Sequence, residues 1–172
     1  LNLGDLSYLS LAGAAFTINA NGTLNIGNAT PNGTIAGTII GLVGSINNAG
    51  TINFNQSDAS YTFSAAIAGT GRVVQNGRGI TFLTGANTYS GGTSINGGLV
   101  NFSNAGNLGT GNITLNGGGL QWAAANTTDI SGRLNALGAG GGTFDTNGND
   151  VTLANSIGGA GGLTKTGAGT LT

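Results

Sequence analysis

The sequence predicts an all-β protein that folds as a parallel β-helix, a solenoid of short stacked strands with no helical domain. Three observations support this fold class. Glycine accounts for 36 of the 172 residues, far above the roughly 7% of an average protein. Apolar and polar residues alternate over segments of about four to six residues, as in half-buried strands. Segments of similar sequence then recur along the chain, which is typical of repeat folds.

The glycines and the alternating pattern together argue against helices. A glycine in a helix interior costs about 0.8–1 kcal/mol relative to alanine, and the abundant asparagine and threonine favour turns and strands. Alternation places Leu24 and Ile26 on one face of a strand, and likewise Leu120 and Trp122. Asn-Gly and Gly-Gly pairs between such segments predict sharp turns.

Short repeats indicate the length of a coil. Residues 18–26 (INANGTLNI) return as residues 46–54 (INNAGTINF), with five of nine positions identical. Residues 95–102 form a shorter copy, and residues 115–122 form a more diverged one. The widest gap, between the starts of the second and third copies, leaves room for one coil that has no recognisable copy of the repeat. At roughly 22 residues per coil and a spacing of ~4.8 Å, the chain would form about eight coils, or about 40 Å of rod.

A longer repeat relates residues 67–79 to residues 157–169, ninety positions later, with five of thirteen positions identical. An antiparallel sandwich or barrel could also produce evenly spaced strands with alternating polarity. The recurrence of whole strand–turn–strand units favours the solenoid, because stacked coils repeat the same local environment.

One segment carries a family signature. Residues 84–99 (TGANTYSGGTSINGGL) closely resemble the autotransporter-associated β-strand repeat. Residues 159–172 resemble the opening of another copy, and residues 104–115 resemble the coil between copies. The match is specific from about residue 67 onward, so we divide the chain into coils with a weak signature (1–66) and coils with the family's repeats (67–172). Both parts would form one continuous solenoid, a fragment of a longer chain.

The resemblance implies a right-handed parallel β-helix from the passenger of a Gram-negative autotransporter. Such a passenger is exposed at the bacterial surface or released, and a C-terminal translocator barrel in the outer membrane belongs to the full-length chain. Passengers of this family often serve adhesion, self-association or biofilm formation. We therefore expect a host-cell or matrix surface, or another copy of the chain, as the partner. The alternative is a purely structural stalk whose functional domain lies elsewhere.

The composition argues against other partners. Charged residues make up 5% of the chain and the net charge is -1, so there is no basic patch to bind the phosphates of a nucleic acid. No basic amphipathic helix is present for a membrane surface, and no apolar run reaches the roughly 18 residues of a spanning helix. We expect neither nucleic-acid binding nor direct membrane insertion by this segment.

Catalytic chemistry is poorly supported. Histidine, cysteine and glutamate are all absent, which removes the usual nucleophilic triads and zinc sites. A glycosidase needs two carboxyl groups in one cleft, and Asp145 and Asp150 are the only near neighbours. We therefore predict that this segment is not an enzyme and has no catalytic residue or cofactor. A β-helix enzyme that acts on polysaccharides is the remaining enzymatic alternative.

A possible metal site and two possible ligand contacts follow from local patterns. Asp145, Asn147, Asn149 and Asp150 resemble the first positions of a calcium loop, but the expected glycine and glutamate are missing, so a plain Asn-Gly turn is favoured. Tyr89 and Trp122 are candidate ligand contacts, because aromatic residues are enriched at binding surfaces. Trp122, however, takes the place of Phe54 and Phe102 in the repeats and is better interpreted as core. Tyr89 lies in a glycine-rich turn and is expected to pack a corner.

Overall fold

The chain forms a parallel β-solenoid. The computed structural model describes residues 1–3, 8–10, 15–27, 38–40, 44–57 and 59–172, and every strand pair within them is parallel. The all-β prediction is therefore confirmed, whereas the right-handed winding stays a prediction from the resemblance. None of the helical segments in the described ranges has the length and apolar character needed to cross a bilayer.

The strands are short, with two to four residues each. In chain order they are β1 (Asn2–Leu3), β2 (Tyr8–Ser10), β3 (Thr17–Ile18), β4 (Thr23–Ile26), β5 (Thr38–Ile40), β6 (Ile46–Asn48), β7 (Thr51–Phe54), β8 (Tyr61–Phe63), β9 (Ile67–Ala68), β10 (Arg72–Gln75), β11 (Ile80–Leu83), β12 (Thr93–Ile95), β13 (Leu99–Phe102), β14 (Ile113–Leu115), β15 (Gly119–Trp122), β16 (Gly142–Asp145) and β17 (Leu163–Thr166). In the part of the chain that the structure describes, two single-turn 3₁₀ helices lie in the loops, at Ala105–Leu108 and Ser131–Arg133.

Within the described ranges, the strands belong to two long sheets and two smaller ones. The first long sheet has the order β1-β4-β7-β10-β12-β14, and the second has the order β8-β11-β13-β15-β16-β17. A third sheet stacks β3, β6 and β9, and β2 pairs with β5. Each sheet takes one strand from successive coils, as a solenoid requires.

The number of turns is smaller than predicted. Each long sheet contains six strands, so the described residues form about six turns instead of eight. The prediction divided the whole chain by a uniform coil length. In the structure, the coil that separates Ile26 from its register partner Phe54 is longer than the coil that separates Ile95 from Leu115. The stretch near Leu134, Leu137 and Val151 contributes only isolated bridges rather than full strands.

The inward faces form a continuous apolar core. Along β4 and β7 every second side chain is buried, and Leu24 and Ile26 lie in register with Ile52 and Phe54. Each large apolar side chain removed fully from water contributes roughly 1.5–3 kcal/mol. The predicted alternation is therefore confirmed at the positions that stack along the axis.

The four short repeats form two pairs, 18–26 with 46–54 and 95–102 with 115–122. The copies within each pair stack on each other, but the two pairs occupy different positions around the coil. Ile26 pairs with Phe54, and Phe102 pairs with Trp122, as the short repeats predict. However, Phe54 lies in the first long sheet, in register with Gln75, whereas Phe102 and Trp122 lie in the second. The prediction that Phe54 is equivalent to Trp122 was wrong. A strand–turn–strand unit with alternating burial fits more than one corner of a coil, so the pattern alone cannot select the sheet.

The longer repeat, whose copies are residues 67–79 and 157–169, shows the same difference. Its first copy contains β10, in the first long sheet, and its second contains β17, in the second long sheet. The two copies therefore occupy different faces of the solenoid. Within β11, Thr81 and Leu83 are buried while Ile80 and Phe82 are partly exposed.

The core contains polar side chains that the sequence did not single out. Gln56, Gln75 and Thr81 are all buried. The Thr81 hydroxyl donates to Gln75 Oε1 at 2.7 Å, and it accepts a hydrogen bond from Gln56 Nε2. Gln75 Nε2 donates to the carbonyl of Gly77 at 2.9 Å. Such bonding offsets part of the cost of removing these groups from water, while the buried Gln56 Oε1 has no hydrogen-bond partner among the described residues.

Candidate interaction surface

The candidate metal loop, for which the sequence favoured a plain turn, forms a hydrogen-bonded turn. Asp145 Oδ1 accepts from the backbone N–H of Asn147 at 2.9 Å, and Asp145 Oδ2 accepts from Gln121 Nε2 at 2.7 Å. Asp150 Oδ1 accepts from both the hydroxyl and the backbone N–H of Thr170, each at 2.8 Å. Protein donors therefore bind both carboxylates.

The two asparagines of the loop are also used structurally. Asn147 adopts a left-handed backbone with φ of 50°, and its side chain donates to the carbonyl of Trp122 at 3.0 Å. Asn149 is buried, and its side chain donates to the carbonyls of Ala123 at 3.0 Å and Thr146 at 2.7 Å. Among the described residues no group of three or more acidic, histidine or cysteine side chains could hold a metal ion. The geometry fits the turn interpretation.

Asp150 also lacks the character of a catalytic acid. The side-chain hydroxyl of Thr170, and then its backbone N–H, hold the pKa of Asp150 below its ordinary value. A general acid in glycoside hydrolysis needs a raised pKa, so that it carries a proton at working pH. The lowered pKa keeps Asp150 ionised, which does not suit the proton-donor role.

Both candidate aromatic contacts are fully buried. Trp122 packs between Phe102 and Phe144, with ring centroids 5.2 Å from each, and its indole N–H donates to the carbonyl of Thr128 at 3.0 Å. This arrangement agrees with the interpretation of Trp122 as a core residue. A ligand at the surface has no access to the ring.

Tyr89 packs a corner, as its turn predicts. Its hydroxyl lies 2.6 Å from Thr93 Oγ1, which in turn donates to the carbonyl of Leu108 at 3.1 Å. Burial raises the pKa of Tyr89 well above its ordinary value. The guanidinium of Arg133 stabilises the same corner, because it donates hydrogen bonds to the carbonyls of Ala105, Leu108 and Gly111 at 2.6–3.0 Å. Tyr89 is thus a core residue rather than a contact residue.

A row of asparagines lies along the outside of the coils. Asn53 Nδ2 donates to Asn25 Oδ1, Asn76 Nδ2 to Asn53 Oδ1, and Asn96 Nδ2 to Asn76 Oδ1, each at 2.8 Å. We call these four residues the asparagine ladder. The members of the ladder follow only from the register of the coils.

A second row lies on the second long sheet. Asn101 Nδ2 donates to Gln121 Oε1, and Gln121 Nε2 donates to Asp145 Oδ2, both at 2.7 Å. These three residues are direct register partners in β13, β15 and β16. The side chains of this row are therefore bonded to one another along the axis.

A shallow polar groove of about 350 Å³ lies where successive coils enter β12 and β14. Its walls carry hydroxyl, amide and backbone groups and no charged side chain. Asn112 Nδ2 donates to Asn135 Oδ1 at 3.0 Å, and Asn135 Nδ2 donates to Thr114 Oγ1 at 2.8 Å. The lining residues are Ser90, Gly91, Gly92, Thr93, Ser94, Gly111, Asn112, Thr114 and Asn135.

The polar groove includes part of the segment with the family signature, residues 90–94. This site was not predicted from the sequence. The signal that could have found it is the Ser-Gly-Gly-Thr-Ser run, which supplies small polar groups without bulky side chains.

Comparison with known proteins adds no relative. A scan against protein-family models finds no match for the chain, and searches of curated proteins and of solved structures find none either. The class of protein is therefore defined by the fold, and this chain is a parallel β-solenoid protein.

Proposed function

We propose that the chain is a structural and adhesive segment of a surface-exposed autotransporter passenger, which supports adhesion, self-association or biofilm formation. The observation that carries the proposal is the polar groove. The groove lies on a parallel solenoid, includes part of the repeat-like segment and presents polar groups to solvent. The autotransporter resemblance of residues 84–99 supports the proposed location at the bacterial surface.

The chemistry of the polar groove favours a neutral partner. Its walls offer hydroxyl and amide groups but no charge, so long-range electrostatic attraction would add little to binding. Recognition would depend on hydrogen bonds and on shape. A glycan, or the polar face of another copy of the chain, presents matching donors and acceptors.

A second candidate is a purely structural stalk. The asparagine ladder favours it, because Asn53 and Asn76 each use their side-chain amide to bond a neighbour in the next coil. A hydrogen-bonding group that is already satisfied gains little from a partner. On this view the ladders stiffen the rod and recognition occurs in another part of the full-length protein.

A binding experiment separates these two functions. The purified chain is tested against host cells, extracellular-matrix proteins and a glycan array, with light scattering as a measure of self-association. Ser94→Arg places a large charged side chain in the polar groove. Thr62→Arg makes the same change at an exposed position of the second long sheet and serves as the matched control.

Each outcome has a defined meaning. Saturable binding or self-association that Ser94→Arg abolishes and Thr62→Arg preserves would support an adhesive role for the polar groove. Equal loss or equal retention in both variants would remove the groove from the proposal. The absence of any signal would favour the stalk. Accessibility of the chain to antibody on intact bacteria that express the full-length protein tests the surface location separately.

A further inference from the structure

The described residues contain five Asn-Gly pairs, and such pairs can undergo a spontaneous reaction. The backbone nitrogen of glycine attacks the side-chain Cγ of asparagine. A new C–N bond closes a cyclic imide, and the amide nitrogen leaves as ammonia. Water then opens the imide to give aspartate or isoaspartate. Glycine hinders the attack least because it has no Cβ. The pairs begin at Asn21, Asn76, Asn96, Asn116 and Asn147.

The fold restrains four of the five nucleophiles. In these pairs the glycine N–H is already hydrogen-bonded to a carbonyl, so attack would require breaking that bond and moving the backbone. The bonds run from Gly22 to Asn19 at 2.8 Å, from Gly77 to Phe54 at 3.0 Å, from Gly117 to Gly141 at 2.8 Å and from Gly148 to Ala168 at 2.9 Å.

The fifth pair is different. Within the part of the chain that the structure describes, the N–H of Gly97 donates no hydrogen bond. Asn96 is exposed to water. Its Nδ2 donates to Asn76 Oδ1, but its own Oδ1 accepts no bond from a described residue. The next asparagine does not extend the ladder, since Asn116 Oδ1 accepts from the backbone N–H of Gly140 at 2.9 Å.

We propose that Asn96 is a built-in deamidation site at the end of the asparagine ladder. The reaction replaces the terminal amide with a carboxylate, which cannot donate to Asn76 Oδ1. Two acceptor oxygens then face each other, and one negative charge is added to a surface with very few charges. The isoaspartate product also adds a carbon to the backbone between β12 and β13. Both products remove the last bond of the asparagine ladder.

Peptide mapping by mass spectrometry tests this proposal. The folded chain is incubated in mildly alkaline buffer made with heavy-oxygen water, so that each new carboxylate carries the label. Asn96 should be labelled several times faster than Asn76. Asn76 is the internal control, because it has the same following glycine, lies in the same ladder and is also exposed. In denaturant the two rates should become similar.

The comparison between folded and unfolded chains makes the result decisive. Labelling of Asn76, Asn116 and Asn147 as fast as Asn96 in the folded chain would overturn the proposal. So would an unlabelled Asn96 in the folded chain under conditions in which the denatured chain reacts there. Asn96→Ser should remove the fast reaction and leave the slow ones unchanged.

Discussion

Phe102 and Trp122 lie in register on neighbouring coils, with their ring centroids 5.2 Å apart and their planes inclined by 58°. Phe144 continues the stack on the other side of the indole. Aromatic pairs at such distances contribute about 0.5–1.5 kcal/mol beyond the burial of their surface. The core of the second long sheet is therefore built around one tryptophan.

Replacement of this tryptophan tests the stack. Trp122→Ala should lower the free energy of unfolding by roughly 3–5 kcal/mol, because it removes both the buried surface and the contacts to two rings. Trp122→Phe keeps an aromatic ring and should cost much less. Denaturant unfolding monitored by circular dichroism measures both changes. A loss for Trp122→Ala no larger than that for Trp122→Phe would contradict this account.

The asparagine ladder makes a smaller contribution to stability. Asn53→Ala removes the bond donated to Asn25 and the bond accepted from Asn76, so we expect a loss of about 1 kcal/mol in the free energy of unfolding. The positions are partly exposed, and water replaces part of each bond. Thr62→Ala, at an exposed position of β8, is the control and should change stability less. Equal effects would show that the ladder does not stabilise the fold.

The buried cluster of Gln56, Gln75 and Thr81 should lose more stability on a nearly isosteric substitution than the asparagine ladder loses. Thr81→Val keeps the side-chain volume but leaves Gln75 Oε1 without its donor and Gln56 Nε2 without its acceptor. An unsatisfied buried polar group costs roughly 1–3 kcal/mol. Chemical denaturation measures the loss, and Thr62→Val at an exposed site should have little effect. Unchanged stability of the Thr81 variant would mean that the glutamines find other partners.

The corner around Tyr89 predicts that Gly109 cannot carry a side chain. Gly109 has φ of 65°, and a Cβ at this position would lie 2.6 Å from the carbonyl oxygen of Tyr89 and 2.7 Å from its ring. Gly109→Ala should therefore destabilise the protein by roughly 1–3 kcal/mol through backbone strain and overpacking. Gly158→Ala is the control, since a Cβ there meets no atom within 4 Å. Thermal unfolding that ranks the two variants equally would contradict the packing of this corner.

Asp150 predicts a dependence of stability on pH. Its pKa is lowered by the Thr170 hydroxyl and N–H, so its hydrogen bonds stabilise the folded state above the ordinary carboxyl pKa. This contribution is lost as the pH falls through the lowered value. Thr170→Val should raise the pKa of Asp150 toward its ordinary value while the pKa of Asp129 stays low. A titration of the carboxyl carbon shifts by NMR measures both groups, and an unchanged Asp150 would refute the assignment.

The sequence predicted the fold class because alternation and recurrence report directly on inward faces that stack along an axis. It could not predict which sheet each repeat occupies, as Phe54 and Phe102 show. The same alternation of apolar and polar residues fits a strand in either long sheet. Thr81 and Gln75 were missed because polar residues in a strand normally face water. The difference between Asn76 and Asn96 depends on a hydrogen bond between neighbouring coils, which follows only from the three-dimensional register.

The parallel stacking also determines how the protein responds to mechanical force. Hydrogen bonds between coils run along the solenoid axis, so tension along that axis loads them in series rather than in shear. Every interface between coils then carries the same force, and the coils separate one at a time, beginning with the least stable interface. Ile95 and Leu115 are register partners on adjacent coils, and the chain between them sets the length released at each step. A coil of about 20 residues extends by roughly 70 Å. A solenoid of this kind would lengthen in steps under tension, instead of failing in a single event.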